Sequence, residues 1–175
     1  MAVVRRVSAP SEPIVVIGAG ASTLLTVLLA EGWQHMVAVD LSAAALGQLR
    51  ERLSGADDRV TYMHSDVRDL QLAEPVAVWH DRATFHFLTD LADQQRYAER
   101  AAAAVRPGGH LVLANFAPGG PDRCSGLLVA RHDLDSLRAL FHEHFELVES
   151  FEADHVTPWG SPQRFLHALW QRRAA

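Results

Sequence analysis

Short apolar runs recur along the chain and alternate with stretches of helical spacing, and this alternation already outlines the elements. Ile14–Ile17 is a β-branched run stopped by Gly18, which predicts a buried parallel strand. Ser22 stands where it can cap a helix running to about Ala30, with Gly32 to end it. Met36–Val39 predicts a second strand, ending on Asp40. Ser42 then caps a helix from Ala43 to about Leu53, in which Ala45, Leu46, Leu49 and Leu53 share one face. Val60–Met63 and Val76–Trp79 predict the third and fourth strands. Asp93–Val105, rich in Ala and Arg, predicts a helix halted by Arg106-Pro107-Gly108-Gly109. His110–Phe116 is the fifth strand, and Ala117–Ser125, with two prolines and two glycines, is a loop. Asp133 caps a helix to about His142, and Phe145–Phe151 and Arg164–Trp170 end the chain as two strands.

Strand and helix alternate, so the expected fold is α/β, a doubly wound, seven-stranded, mostly parallel sheet. No helical pattern separates the last two strands, which are therefore expected to pair antiparallel and put one reversed strand in the sheet. No linker, repeat or low-complexity tract interrupts the pattern, and residues 1–175 read as a single domain.

Composition narrows the function classes. The chain is 49% hydrophobic and 21% charged, as ordinary globular domains are. Its net charge is -5 and it has no Lys, so a nucleic-acid partner held through phosphates is not expected. Cys124 is the single cysteine, which excludes an intrachain disulfide and a CxxC zinc site. No apolar run is long enough to span a bilayer, and Met1–Pro13 lacks the apolar stretch of a signal peptide. A cytoplasmic protein is expected. Ten histidines invite a metal, but none shows HExxH or HxH spacing with supporting ligands, and no metal site is assigned.

Candidate chemistry begins at Gly18-Ala19-Gly20-Ala21-Ser22, a small-residue loop between a strand and a helix. Such a loop lets the backbone approach a ligand, and a helix N-terminus attracts negative charge. Asp40 ends the next strand, where a carboxylate can take both hydroxyls of a ribose. Thr23 replaces the third glycine of a dinucleotide fingerprint, which disfavours NAD or FAD. Asp66 follows the third strand and can accept from an adenine amino group, with the next amide at Val67 facing a ring nitrogen. Gly20, Asp40 and Asp66 thus follow three successive strands at one sheet edge, outside which ligands of open α/β sheets bind.

With these pieces the chain resembles the class I S-adenosylmethionine (SAM)-dependent methyltransferases over nearly its whole length. The matching segments are Gly18–Ser22, Val39-Asp40, Ser65-Asp66-Val67, Trp79-His80-Asp81 and Arg106–Gly109, followed by the terminal strand pair. More narrowly it looks like a bacterial subgroup of small thiopurine-methyltransferase-like proteins. That resemblance rests on WHDRATFHFLTD at Trp79–Asp90, the CSGL loop within Phe116–Leu127, and HVTPWGSPQRF at His155–Phe165. The resemblance implies SAM as cofactor, with Gly18, Ala19 and Gly20 near its methionine part, Asp40 and Leu41 at the ribose, and Asp66 and Val67 at the adenine. It also implies that His80 and Asp81 flank the methyl group and the acceptor.

The chain departs from the family at two places. An acid commonly stands two residues before the first glycine, where this chain has Val16. The helix that lids the cofactor ahead of the first strand is expected to be short or missing, because only Met1–Pro13 precede it. Weaker binding, a more open site, or cover from a second copy in a homodimer would each follow.

Methyl transfer is an in-line displacement, so the enzyme supplies position, desolvation and, where needed, a base. His80, Asp81, His86 and His155 are the expected acceptor-side groups, with His86 or His155 as base. His86, between Phe85 and Phe87, is equally readable as a packed core histidine, and Asp81-Arg82 as an internal ion pair. Cys124 is either a half-buried loop cysteine or a thiol touching the acceptor. Phe85, Phe87, Phe116, Trp159 and Phe165 are candidates for an apolar acceptor pocket. The expected activity is methyl transfer to a small thiol or other soft or aromatic nucleophile. The alternative is a SAM-binding scaffold that has lost catalysis.

Overall fold

A computed structural model describes residues 2–56, 58–157, 160 and 162–174. In chain order the elements are α1 (Ala2–Val7), β1 (Ile14–Ile17), α2 (Leu24–Ala30), β2 (Met36–Asp40), α3 (Ala43–Arg52) and β3 (Val60–His64). They continue with β4 (Val76–Arg82), α4 (Leu91–Ala104), β5 (Val105–Phe116), β6 (Arg123–Cys124), β7 (Leu127–Leu128), α5 (Leu134–Phe141), β8 (Phe145–Val156) and β9 (Pro162–Arg172). Single 3-10 turns lie at Val67–Asp69 and Phe85–Phe87.

Seven strands form one sheet in the order β3-β2-β1-β4-β5-β9-β8, the expected doubly wound, mostly parallel arrangement. Only β9 is reversed, antiparallel to both β5 and β8. The chain winds outward from β1 to β3, returns to β4 beside β1, and winds the other way, so a crevice opens between the carboxyl ends of β1 and β4.

Two apolar layers hold the sheet. On one face Val15, Ile17, Trp79 and Leu113 pack with Tyr97 of α4 and Phe141 of α5. On the other, Val16, Ala38 and Val78 pack with Leu25 and Leu28 of α2, Leu49 of α3 and Val4 of α1. Each such fully buried aliphatic side chain contributes roughly 1.5–3 kcal/mol.

Several boundaries differ from the sequence expectation for local physical reasons. Thr23, not Ser22, is the first residue of the α2 cap; the Ser22 hydroxyl instead accepts from the Leu24 amide at 3.1 Å. Asp90 caps α4 through the Ala92 amide, so that helix starts at Leu91. β5 begins at Val105, with Arg106–Gly109 forming a bulge: Val105 pairs with Val76, and pairing resumes at His110 opposite Val78. Proline and glycine interrupt that register without ending the strand, because Gly108 adopts φ 76° and Gly109 packs on the Ala77 carbonyl. Within the expected loop Ala117–Ser125, Arg123-Cys124 pairs with Leu127-Leu128 as a small hairpin. The final two strands extend to Val156 and back from Pro162.

The N-terminal helix is short, as expected. It lies against the Val16 face of the sheet, with Val4 fully buried and ion pairs from Arg5 to Glu31 and Arg6 to Glu149. It therefore closes a flank of the core instead of covering the crevice. Among the described residues no helix is long and apolar enough to cross a membrane.

Candidate functional site

A cleft of about 530 Å³ occupies the crevice, within the size range of small-molecule sites. Ile17, Gly18 and Ala21 form one wall, Val39, Asp40, Leu41 and Ala45 a second, and Ser65–Arg68 a third. Ala83, Thr84 and Phe87–Thr89 close the side toward β5, with Asp93 and Leu127 at the rim.

The glycine loop and Asp40 are built as one unit. The Gly20 amide donates to Asp40 Oδ2 at 2.9 Å and the Ser42 amide to Oδ1 at 2.8 Å, so the carboxylate is clamped at both oxygens. Each oxygen keeps a lone pair for a further donor. Ser42 in turn caps α3 through the Ala45 amide at 3.2 Å. A Cβ on Gly20 would stand 2.4 Å from that of Ala45 and 3.0 Å from Asp40 Oδ2. Gly18 has φ 64°, and its Cβ would stand 2.1 Å from Thr84 Oγ1. Both glycines are thus demanded by the protein's own packing. Ala19 faces away from the cleft, fully buried in the α2–α3 layer, and Gly20 acts through Asp40 without lining the cleft.

Asp66 stands at the third wall but is not idle. Arg68 grips it with Nε on Oδ1 at 3.0 Å and a terminal nitrogen on Oδ2 at 2.6 Å, and its second terminal nitrogen reaches Asp93 at 2.7 Å. The side-chain bond from Arg68 holds the Asp66 carboxyl below its ordinary range. This Asp66–Arg68–Asp93 link fastens the β3 exit to the first turn of α4.

The four acceptor-side candidates do not converge. His80 and Asp81 are consecutive on β4 and point to opposite faces of the sheet, so they cannot both flank one methyl group. His80 shares its row with Val16 and Val112, away from the cleft, and burial pushes it down to about 4. Asp81 is fully buried on the other face, where it accepts from the Thr84 and Phe85 amides at 2.9 and 3.3 Å. Its second oxygen accepts from Tyr97 Oη at 2.7 Å, and Tyr97 accepts from Trp79 Nε1 at 2.8 Å. Burial raises Asp81 to about 6. An Asp81–Arg82 ion pair does not form, again because consecutive strand residues face apart.

His86 is fully buried, with its ring 4.5 Å from that of Phe116 and 4.7 Å from Phe87, and neither ring nitrogen has a hydrogen-bond partner. Burial, with a contribution from His132, lowers it to about 4. His155 is exposed on β8, 6.3 Å from the Phe165 ring. Trp159 lies outside the described residues. Cys124 is half-buried and packs on the cluster of Phe116, Phe165, Ala114 and Val129, which Phe87 also joins. Phe85 belongs instead to the opposite core layer. Among the described residues no group of three or more His, Cys, Asp or Glu is arranged to hold a metal ion.

SAM fits the nucleoside half of this cleft. The clamped Asp40 offers two oxygens, and Leu41, 69% exposed, offers a free apolar surface beside them. At the Gly18 end of the cleft Val16 is packed in the core and carries no acid, and Thr84 is the polar side chain nearest Gly18. Sequence reasoning missed Thr84, Arg68, Asp93 and Leu127. A carboxylate two residues before an arginine was the available signal for Arg68, but contacts as distant as Gly18–Thr84 leave no local trace.

The doubly wound sheet and its cleft match the class I SAM-dependent methyltransferase fold. The Methyltransferase domain family matches residues 14–109, more than half of the chain, and the protein belongs to that family. Demethylmenaquinone methyltransferase of Clavibacter sepedonicus is 33% identical over 106 residues, covering 60% of this chain and 41% of that relative. The match thus spans about two fifths of the relative's length. A SAM-dependent methyltransferase of Methanosarcina mazei superposes with a TM-score of 0.84 at 14% identity, over 100% of this chain and 99% of that one. The 1,6-didemethyltoxoflavin-N1-methyltransferase of Burkholderia thailandensis, solved with bound 1,6-didemethyltoxoflavin and S-adenosylhomocysteine (SAH), gives a TM-score of 0.73 at 22% identity, over 94% of this chain and 72% of that one.

Proposed function

We propose that residues 1–175 act as one domain that binds SAM and moves its methyl group to a small thiol or other soft or aromatic nucleophile. The observation that carries this reading is the cleft itself: its nucleoside wall, Asp40 with Leu41, stands opposite a wall formed by Phe87 and Leu88. Phe87 continues into the cluster with Phe116 and Phe165. That cluster draws residues from all three segments, Ala83 and Phe87 from Trp79–Asp90, Phe116 and Cys124 from Phe116–Leu127, and Phe165 from His155–Phe165, which supports placing the chain in the small thiopurine-methyltransferase-like subgroup.

Bound SAM would supply an electrophilic methyl on a sulfonium. Asp40 would take the ribose hydroxyls, Asp66 and Val67 the adenine edge, and Gly18 and Thr84 the methionine end. Asp81 holds the Ala83–Phe85 turn, and so Thr84, in place through its two backbone amides. None of the side chains that line the cleft is a histidine, which favours an acceptor that arrives deprotonated, as thiols readily do. His86, one residue from the lining Phe87 and neutral at physiological pH, is the candidate to accept a proton where one must leave. His80 and His155 are assigned to the acceptor side without contact with the cleft. The acceptor is a small molecule rather than a nucleic acid, and the single unpaired cysteine suits a reducing cytoplasm.

A second reading, a SAM-binding protein without catalysis, draws on Val16 and on the lack of a histidine among the cleft-lining side chains. Calorimetric titration with SAM, SAH and NAD tests the site; binding of NAD alone would refute the methyltransferase reading. Following SAH release with a panel of thiols, phenols and amines then separates enzyme from scaffold, which yields no release with any acceptor.

A further inference from the structure

Beyond the cleft, the sheet face that carries Val16 and Val112 ends at Arg82, which does not line the cleft. Arg82, the last residue of β4, is exposed, and its guanidinium carbon lies 5.4 Å from the centroid of the Phe165 ring. Arg5, Arg6, Arg68, Arg96, Arg106 and Arg164 each hold a carboxylate. Arg82 has neither a carboxylate nor a carbonyl partner among the described residues.

The strand register fixes its neighbours. Arg82 stands opposite Ala114, Ala114 opposite His167, and His167 opposite Phe151. Strands lie ~4.8 Å apart, so Arg82 and His167 flank a floor about 10 Å wide whose middle is only a methyl group. His167 is stacked on Phe151, with centroids 4.8 Å apart and planes 9° from parallel. His80 lies two residues before Arg82 on the same face, and its buried Nδ1 has no partner. Burial, reinforced by Arg82, keeps both imidazoles below their ordinary range and hence neutral near pH 7. The carboxylate in the next row, Glu149, is taken by Arg6. The face therefore presents the unpaired guanidinium of Arg82 beside neutral imidazoles and aromatic rings, which is the chemistry that receives an anion.

We infer that Arg82, with His80 and His167, forms a subsite for an anionic group carried by the methyl acceptor. The inference rests on the reading of the cleft as the methyl-transfer site. Ala83, the residue after Arg82, adopts φ 67° and turns the chain from this face into the cleft wall. Phe165, under Arg82, packs 4.8 Å from Phe116, in the cluster that Phe87 joins at the cleft. An acceptor whose apolar body lies on these rings would direct its nucleophile to the cleft and its carboxylate, sulfonate or phosphate to Arg82.

Benzoate and benzamide, nearly the same shape but differing in charge, are titrated calorimetrically into the SAH-saturated protein and into Arg82→Met and Arg82→Lys. The expected result is binding of benzoate about tenfold tighter than benzamide. That preference is lost in Arg82→Met and partly kept in Arg82→Lys, with SAH affinity equal in all three. Undetectable benzoate binding, equal binding of the two probes, or a preference that survives in Arg82→Met would overturn the subsite. Inorganic phosphate binding as tightly as benzoate would overturn its assignment to the acceptor. Benzoate carries no nucleophile, so the outcome is independent of turnover, and failure of SAH to bind would instead count against the cleft.

Discussion

The Gly20 amide and the Asp40 carboxylate meet at 2.9 Å across twenty residues, joining the first βα loop to the end of the second strand. Because Ala45 sits directly behind this contact, Gly20→Ala forces either the loop or the first turn of α3 to move. Overpacking of this kind costs roughly 1–3 kcal/mol. The expected outcome is a lower melting temperature together with SAM affinity reduced by more than about tenfold. Asp40→Ala is expected to abolish SAM binding while the fold persists. Calorimetry and thermal denaturation check both, and unchanged affinity in Asp40→Ala would place the ribose elsewhere.

Gly18 and Thr84 give a second, sharper test. An alanine at 18 is strained twice, by its positive φ and by Thr84 Oγ1 at 2.1 Å from the new Cβ. The backbone part alone costs roughly 1–2 kcal/mol. Removing the hydroxyl relieves the contact but not the backbone, so Gly18→Ala/Thr84→Ala should be more stable than the sum of the single changes implies. The rescue should still stop short of wild type. Urea denaturation of the four proteins in the cycle reads the coupling, and strict additivity would show that Thr84 moves aside freely.

Most of the sheet was legible from the chain because its signals are local. β-branched runs mark the buried strands, and Ser42 and Asp133 cap their helices as expected, through the Ala45 and Ser136 amides. Asp40 and Asp66 line one cleft because strand ends at one sheet edge converge. The acceptor side was far less legible. His80 and Asp81 look like one catalytic pair in a motif, yet strand periodicity sends them to opposite faces. The bulge at Arg106–Gly109 imitates a turn, since proline and glycine punctuate both, and only the pairing of Val105 with Val76 distinguishes them. The Asp81–Tyr97–Trp79 chain depends on how α4 packs on the sheet, which no window of sequence records.

Asp81 makes stability depend on pH in an unusual direction. Its pKa in the folded protein, about 6, lies above the ordinary 3.8, because burial outweighs the bonds from Tyr97, Thr84 and Phe85. Between those values the folded state holds a proton that the unfolded state has released. Its contribution is therefore fully present below about pH 4 and is lost as pH rises through 6, a change approaching 3 kcal/mol. Asp81→Asn cannot ionise and should remove this slope. Denaturation of both proteins from pH 4 to 7 checks it: the difference in stability should shift toward the variant as pH rises. A parallel pair of curves would mean that Asp81 is ionised throughout.

His86 carries the opposite dependence and a separate kinetic signature. Burial depresses it from 6.5 to about 4, so the folded state binds fewer protons than the unfolded one in that window. Stability tied to neutral His86 is complete above pH 6.5 and is lost as pH falls toward 4, by up to about 3 kcal/mol. His80, also lowered to about 4, adds a slope of the same sign, so His86→Phe should reduce the acid sensitivity without eliminating it. The aromatic replacement suits a ring already packed on Phe87 and Phe116, and should leave the fold and SAM affinity intact. Turnover then separates the roles. If His86 receives a proton from the acceptor, His86→Phe slows transfer to phenols, which must shed a proton near neutral pH, by about tenfold or more. Thiols, already partly ionised, should lose much less. An equal loss for both acceptors, or none for either, would return His86 to the core.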